Sequence, residues 1–309
     1  MKTFGISVLV LAGAAVAPAW SCDLCAVYSS FASRGESGKG WVAGVAEQFT
    51  RYGSLQTDGA SVANPDGQYM NSSISQVFVG YNFKSRVGVQ VNLPVIHRSY
   101  RRVDDTGAVD TGSESGVGDL SLLGHWAPVQ EQYKNGIFRW NLLGGLKLPT
   151  GNTRRLAEPE FGAVHGHDLA LGSGSVDGLV GTGVFASWNR WFFTANSQYA
   201  IRTEGDYGRR YANDLTWSGG PGYFLVTTDN LNLSLQANIT GEYKGTDRDN
   251  GAVDPETAMR AVFLGPQLEV SYKDKYNFSL GGDLPVSIRA SGTQAVPDYR
   301  VRAAFTVRF

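Results

Sequence analysis

The sequence predicts an all-β protein, a closed antiparallel transmembrane β-barrel of about 12 strands with short periplasmic turns and long extracellular loops. Three observations predict it. The final stretch, residues 297–309 (P-D-Y-R-V-R-A-A-F-T-V-R-F), alternates apolar and polar positions and ends on an aromatic residue. The same alternation recurs along the chain in runs long enough to cross a bilayer as tilted strands. The connections between those runs are short and long by turns.

In the final stretch Tyr299, Val301, Ala303, Phe305, Val307 and Phe309 share one face, with Arg300, Arg302, Ala304, Thr306 and Arg308 on the other. One such strand fits a water-soluble sheet equally well. The terminal aromatic decides, because it resembles the C-terminal signature of bacterial outer-membrane barrels. Phe309 is therefore the expected assembly signal, read by the barrel assembly machinery. The apolar face is expected to meet outer-membrane lipid and the arginines a wet lumen.

The chain has 309 residues and a net charge of −1, which gives no reason to expect a nucleic-acid partner. Lys2, the apolar run 6–17 and the small-x-small triplet Ala17-Pro18-Ala19 predict a signal peptide over 1–19. That run is too short to span a bilayer, and no later stretch reaches about 18 uninterrupted apolar residues. Residues 20–40 form an N-terminal segment, either a loose periplasmic arm or a short helix in the lumen. It carries the only cysteines, Cys22 and Cys25, in C-D-L-C. A disulfide, a redox or metal contact, and an inert pair or a lipid-anchored Cys22 all stay open. Haem attachment needs a histidine where Ala26 stands, and a zinc site needs two further ligands.

From Trp41 the barrel, 41–309, resolves into strands near 41–52, 71–83, 86–97, 117–128, 136–149, 175–187, 190–202, 214–226, 231–243, 258–272, 276–288 and 298–309. Alternation is clear in the ninth, where Leu231, Leu233, Leu235, Ala237 and Ile239 oppose Asn232, Ser234, Gln236, Asn238 and Thr240. In the third, Val87, Val89, Val91, Leu93 and Val95 oppose Arg86, Gln90 and Asn92. Short connections follow the even-numbered strands. Longer ones, near 53–70, 98–116, 150–174, 203–213, 244–257 and 289–297, follow the odd-numbered strands. A soluble sandwich has no reason to alternate loop length so regularly. Closure must pair the strand at Trp41 with the one ending at Phe309, because an open edge in lipid leaves backbone groups unpaired.

Four phrases carry a family resemblance: S-G-V-G-D-L at 115–120, G-L-K-L-P-T-G at 145–151, L-G-S-G-S-V-D at 171–177 and L-G-P-Q-L-E-V-S-Y at 264–272. In this order they resemble a bacterial family of outer-membrane transporters named for the meta-cleavage pathway of phenol degradation. The resemblance implies a barrel similar to the hydrophobic-compound channels, with small molecules, aromatic ones among them, as the transported solutes. C-D-L-C has no place in that pattern.

Alternation points Arg86, Arg139, Lys147, Arg202, Arg300, Arg302 and Arg308 into the lumen, against Asp119, Glu242, Glu269 and Asp283. Buried charge is tolerated only when paired or wet. A structural ion-pair network and a constriction favouring anions or polar aromatics both fit. Pro94, Pro149 and Pro285 fall toward the loop-side strand ends, where a rim bulge or a gap in the wall accommodates them. His165-Gly166-His167 in the longest loop reads as solvated, with too few neighbouring carboxylates for a metal site. His125 has no motif partner for lipase-type chemistry, and G-S-G-S-V-D-G lacks the lysine of a phosphate-binding loop. The expected class is a channel or transporter without cofactor, metal or catalytic residue. A structural or electron-conduit barrel using Cys22 and Cys25 is the second class, and a barrel enzyme the third.

Overall fold

The computed structural model describes residues 39–104, 106–158 and 161–309. Cys22, Cys25 and the expected signal peptide lie outside the described residues, as does nearly all of the expected segment 20–40. In chain order the elements are β1 (Gly40–Thr57), β2 (Ala60–Val62), β3 (Tyr69–Lys84), β4 (Val87–Val103), β5 (Val109–Val117), β6 (Leu120–Tyr133) and β7 (Gly136–Leu148). Then come helix α1 (Gly166–Leu169), β8 (Asp177–Trp188), β9 (Trp191–Ile201), β10 (Arg209–Arg210), β11 (Asp214–Thr227) and β12 (Leu231–Lys244). The chain ends with β13 (Asp247–Asp249), β14 (Ala252–Asp254), β15 (Met259–Tyr272), β16 (Tyr276–Ala290) and β17 (Thr293–Arg308).

Twelve of these strands form the wall, each antiparallel to its neighbours: β1, β3, β4, β6, β7, β8, β9, β11, β12, β15, β16 and β17. β1 and β17 close it, with Val42 opposite Arg308 and Gln48 opposite Arg302. At the base of this seam Trp41 N donates to Phe309 O at 2.8 Å and Phe309 N to Trp41 O at 3.1 Å. The terminal residue is thus part of the ladder that closes the sheet on itself.

Alternation sorts the wall as expected. Val77, Val79, Val89, Val91, Val301 and Phe305 are exposed outward, while Gln90, Asn92, Thr50 and Arg300 between them are buried inward. Glu47 is an outward exception, accepting from Ser73 Oγ at 2.6 Å and from Ser75 Oγ. Two hydroxyls on the neighbouring strand thus satisfy a carboxylate that would otherwise face the apolar band unpaired.

The short connections are tight. Asn189, Lys273 and Asp274 take positive φ of 53°, 52° and 51°. That is the backbone of mirror-image hairpin turns, whose twist matches that of the flanking strands. The long-loop end differs from the expected loops. Residues 98–116 are mostly the hairpin of β4 and β5, and 289–297 is mostly strand around a turn at Ser291 and Gly292. The reason is that strands can continue past the apolar band as long as backbone pairing continues. Residues 149–176 remain a true long loop.

Two departures in the wall sit at the expected prolines. At Pro94 the partner of β4 changes from β6 to β5, and Gly118 N donates to Pro94 O at 2.8 Å. At Pro285 the β15–β16 register shifts. Close to this shift the β16–β17 ladder, which starts at Tyr276 opposite Val307, stops at Asp283 opposite Arg300. Beyond that point Gln56 of β1 reaches across, donating to Ile288 O at 3.4 Å and accepting from Ala290 N at 3.2 Å. A side-chain amide thus stands in for part of the missing backbone ladder.

Candidate functional site

The long loop folds over the barrel mouth instead of standing in solvent. Its two ends leave β7 and β8, yet its middle is anchored elsewhere around the rim. Ala163 O accepts from Ala295 N of β17 at 3.0 Å, and Tyr211 Oη donates to His167 O at 3.0 Å. Arg98 of β4 donates to Ala170 O at 2.8 Å and also to Asp168 O. Val164 and Leu169 pack with Tyr52, Leu55, Met70 and Tyr100 in one buried apolar cluster. A loop that buries leucine and valine in a cluster shared with β1, β3, β4 and β17 is a cap.

A single polar hub holds the feet of this cap. Lys147 Nζ lies 2.9 Å from Asp119 Oδ2, 3.0 Å from Asp177 Oδ2 and 2.8 Å from Ser173 Oγ. Asp119 also accepts from Gly151 N at 3.0 Å and Ser173 N at 2.9 Å, gripping both ends of the loop. Asp177 pairs with Arg202 at 2.7 Å, and Arg202 with Asp214 at 2.7 Å. Charges therefore alternate along Asp119, Lys147, Asp177, Arg202 and Asp214, which is how a buried network repays desolvation. Gly151 and Gly172 touch here, since a Cβ on Gly172 would come within 2.7 Å of Gly151 Cα. Three of the four sequence phrases noted above meet at this hub.

Beside it, Arg209 pairs with Asp247 at 3.0 Å and with Asp254 at 2.9 Å, and Lys244 with Asp247 at 2.8 Å. Burial, and then the nearby Arg209 and Lys244 charges, hold the His167 pKa well below its ordinary value.

A cavity holding about 1690 Å³ of empty space, open solvent included, occupies the lumen. Gln48, Gln76, Gln236, Asn238, Thr216 and Ser218 give it a wall of amides and hydroxyls. Gln236 is held by Thr194 Oγ1 at 2.6 Å and Gly220 O at 3.1 Å. Arg300 is buried, donates to Glu242 Oε1 and to Thr50 Oγ1 at 3.3 Å, and lies 4.4 Å above the Phe263 ring centroid. Arg302 grips Asp283 through two bonds of 2.7 and 3.0 Å. Glu269 accepts from Asn277 Nδ2 at 2.8 Å. Ala46, Ile74, Leu143 and Ala304 interrupt this polar wall. Val42, Ala46, Phe78 and Ala304 cluster inward, as do Leu123, Leu179 and Ala200 with Leu143 against them. Outside the lining, Phe185 and Phe192 stack at a centroid separation of 6.0 Å, and Phe192 meets Phe224 at 5.0 Å in a tilted pair.

The expected lumen residues therefore divide. Glu242, Glu269, Arg300 and Arg302 line the cavity, and Asp283 stands behind Arg302. Lys147 and Arg202 belong to the hub. Arg139 is buried outside the cavity lining, donating to Asn141 Oδ1 at 2.9 Å and to Ser85 O at 3.4 Å in the β3–β4 turn. Arg308 is half-buried near the base of the seam, outside the lining. Arg86 requires a correction, because it sits exposed in the turn between β3 and β4 and not on a strand face. That turn keeps its two residues but lies one position later than the alternation implied, at Ser85 and Arg86. Arg98, Asp177, Asp214, Lys244 and Asp247 were missed. Asp177 closes a conspicuous glycine phrase, but the others stand among polar neighbours that give no signal.

The family model described as "Putative MetA-pathway of phenol degradation" matches residues 40–309. Comparison with curated proteins finds no match. Among solved structures, the COG4313 outer membrane channel from Pseudomonas putida F1 superposes with a TM-score of 0.67 at 15% identity, covering 92% of this chain and 100% of that one. The translocator domain of the autotransporter NalP from Neisseria meningitidis gives 0.42 at 13% identity, over 90% and 92% of the two chains. A FadL homologue from Pseudomonas aeruginosa gives 0.38 at 9% identity, over 87% and 90%.

Proposed function

The chain belongs to this family of MetA-pathway phenol-degradation proteins, and from that premise we propose that it is an outer-membrane passage for small uncharged molecules with aromatic or apolar surface. Its capped mouth faces outward and its short turns face the periplasm. The observation that carries this reading is the pairing of the two arginines that line the cavity. Arg300 is matched by Glu242 and Arg302 by Asp283, so the arginines expected to favour anions present no net field. What remains for a solute is a wall of amides and hydroxyls interrupted by Ile74, Leu143 and the alanines Ala46 and Ala304. Such a wall suits a molecule with an apolar body and one or two hydrogen-bonding groups.

Uptake into liposomes tests this. Small uncharged aromatics should enter barrel-containing vesicles faster than sugars of the same size, relative to empty vesicles. Equal permeation of both would overturn the reading.

The end of the β16–β17 ladder favours a second route, sideways through the wall into lipid. Leu284 and Tyr299 follow the last ladder pair on either strand, and both are exposed. A disulfide between Leu284→Cys and Tyr299→Cys, in a chain with Cys22→Ser and Cys25→Ser, should block uptake of apolar solutes but spare ion conductance. Unchanged uptake in the cross-linked barrel rules the lateral route out.

A further inference from the structure

The cap contains a cluster that the transport reading leaves unused. His165 and His167 flank Gly166, and Asp168 follows. Each offers one ligand atom, and these atoms lie within 4.8 Å of one another. Both histidines are buried, whereas a solvated loop tip was expected. Their rings are 5.1 Å apart between centroids, and His167 Nε2 is 3.4 Å from Asp168 Oδ1.

That last distance is informative. Two ligands about 2.0–2.1 Å from a tetrahedral ion stand about 3.4 Å from each other. The backbone that carries the three residues is fixed from outside, and the Asp168 side chain with it. Asp168 Oδ2 accepts from His165 N at 3.0 Å, leaving Oδ1 toward His167. Tyr211 and Arg98 fix the carbonyls of His167, Asp168 and Ala170. Arg98, Arg209 and Lys244 stand near His167, and Asp247 and Asp254 pair with Arg209 and Lys244, so the site's own carboxylate is Asp168.

We propose that His165, His167 and Asp168 form a binding site on the cap for a divalent transition-metal cation of the zinc class. Two imidazoles with one carboxylate oxygen suit zinc and its neighbours, whereas magnesium and calcium require oxygen ligands throughout. Three protein ligands leave a further coordination position for water or a solute group. An ion bound here joins three side chains within four residues, so it also stiffens the cap.

The test is calorimetric titration of Zn2+ into the folded full-length chain in detergent. A Cys22→Ser, Cys25→Ser background removes the thiols as competing ligands. One zinc ion per chain should bind, with magnesium giving no saturable heat. His165→Gln with His167→Gln should weaken zinc more than about tenfold, while His97→Ala leaves it unchanged. If the double variant loses its heat-modifiable gel migration, Asp168→Asn decides, because its amide oxygen keeps the bond to His165 N while the carboxylate charge is lost. Absence of saturable zinc binding, or equal affinity in the folded variants and the parent, overturns the proposal.

Discussion

Replacing Asp119 by alanine should open the cap without unfolding the barrel. Asp119 is buried and accepts from Gly151 N, Ser173 N, Ser173 Oγ and Lys147 Nζ at 2.7 to 3.0 Å. Alanine leaves the two backbone donors unsatisfied, at about 1–3 kcal/mol each. Lys147 keeps Asp177 at 3.0 Å, so the larger penalty for an unpaired buried ion, about 3–5 kcal/mol, applies only in part. A central figure of about 4 kcal/mol, at about 1.4 kcal/mol per tenfold, raises the cap-open population roughly a thousandfold. The strand ladders of the wall are untouched, so this is local opening and not global unfolding. Trypsin should then cut after Arg154 and Arg155 much faster than in the parent. Single-channel conductance should rise, and heat-modifiable migration should stay as it was. Parental cleavage rate and conductance in a folded Asp119→Ala barrel would refute the assignment of Asp119 as the foot of the cap.

Cysteines at Gly107 and Gly251, where an added Cβ meets open space, should be labelled on intact cells, with Asp274→Cys protected until the outer membrane is opened; the reverse pattern would invert the topology. Gly162 is unsuitable as a probe despite its place in the long loop, because a Cβ there would meet Val103 O at 2.4 Å. Deleting Phe309 removes the backbone bonds to Trp41 and the outward aromatic together, and should lower the yield of heat-modifiable barrel in membranes. Arg300→Gln should destabilise the barrel by about 3–5 kcal/mol by stranding the buried Glu242, and adding Glu242→Gln should recover most of it. Denaturant midpoints that show no such recovery would mean that Arg300 acts through Phe263 and Thr50 and not through its ion pair.

Most of the wall was legible because lipid imposes a binary pattern. Every residue of a barrel strand faces either hydrocarbon or lumen, so Val87, Val89 and Val91 against Gln90 and Asn92 leave little ambiguity. Turn length was legible for the same reason, since the periplasmic hairpins need only reverse the chain. The cap was not. Val164 and Leu169 are too few and too irregularly spaced to mark a buried face, and their partners are spread over β1, β3, β4 and β17. The hub lay in plain view as three glycine-containing phrases, but each reads locally as a turn. Their convergence depends on strands bringing residues 119, 151 and 173 together across the rim. Arg86 was misplaced because alternation gives the face of a strand and not where the strand begins.

The same physics accounts for where charge is placed in this barrel. The network of Asp119, Lys147, Asp177, Arg202 and Asp214 stands at the rim, where the cap must be held in one register. Hydrophobic contacts hold a cap closed but tolerate sliding, whereas an alternating chain of ion pairs tolerates neither displacement nor a missing partner. In the cavity the logic reverses. Pairing Arg300 with Glu242 over Phe263, and Arg302 with Asp283, pins those side chains to the wall and cancels their field. The lining between them is mainly amides, hydroxyls and small apolar side chains. Charge at the rim thus fixes the position of the cap, and charge in the cavity fixes the wall.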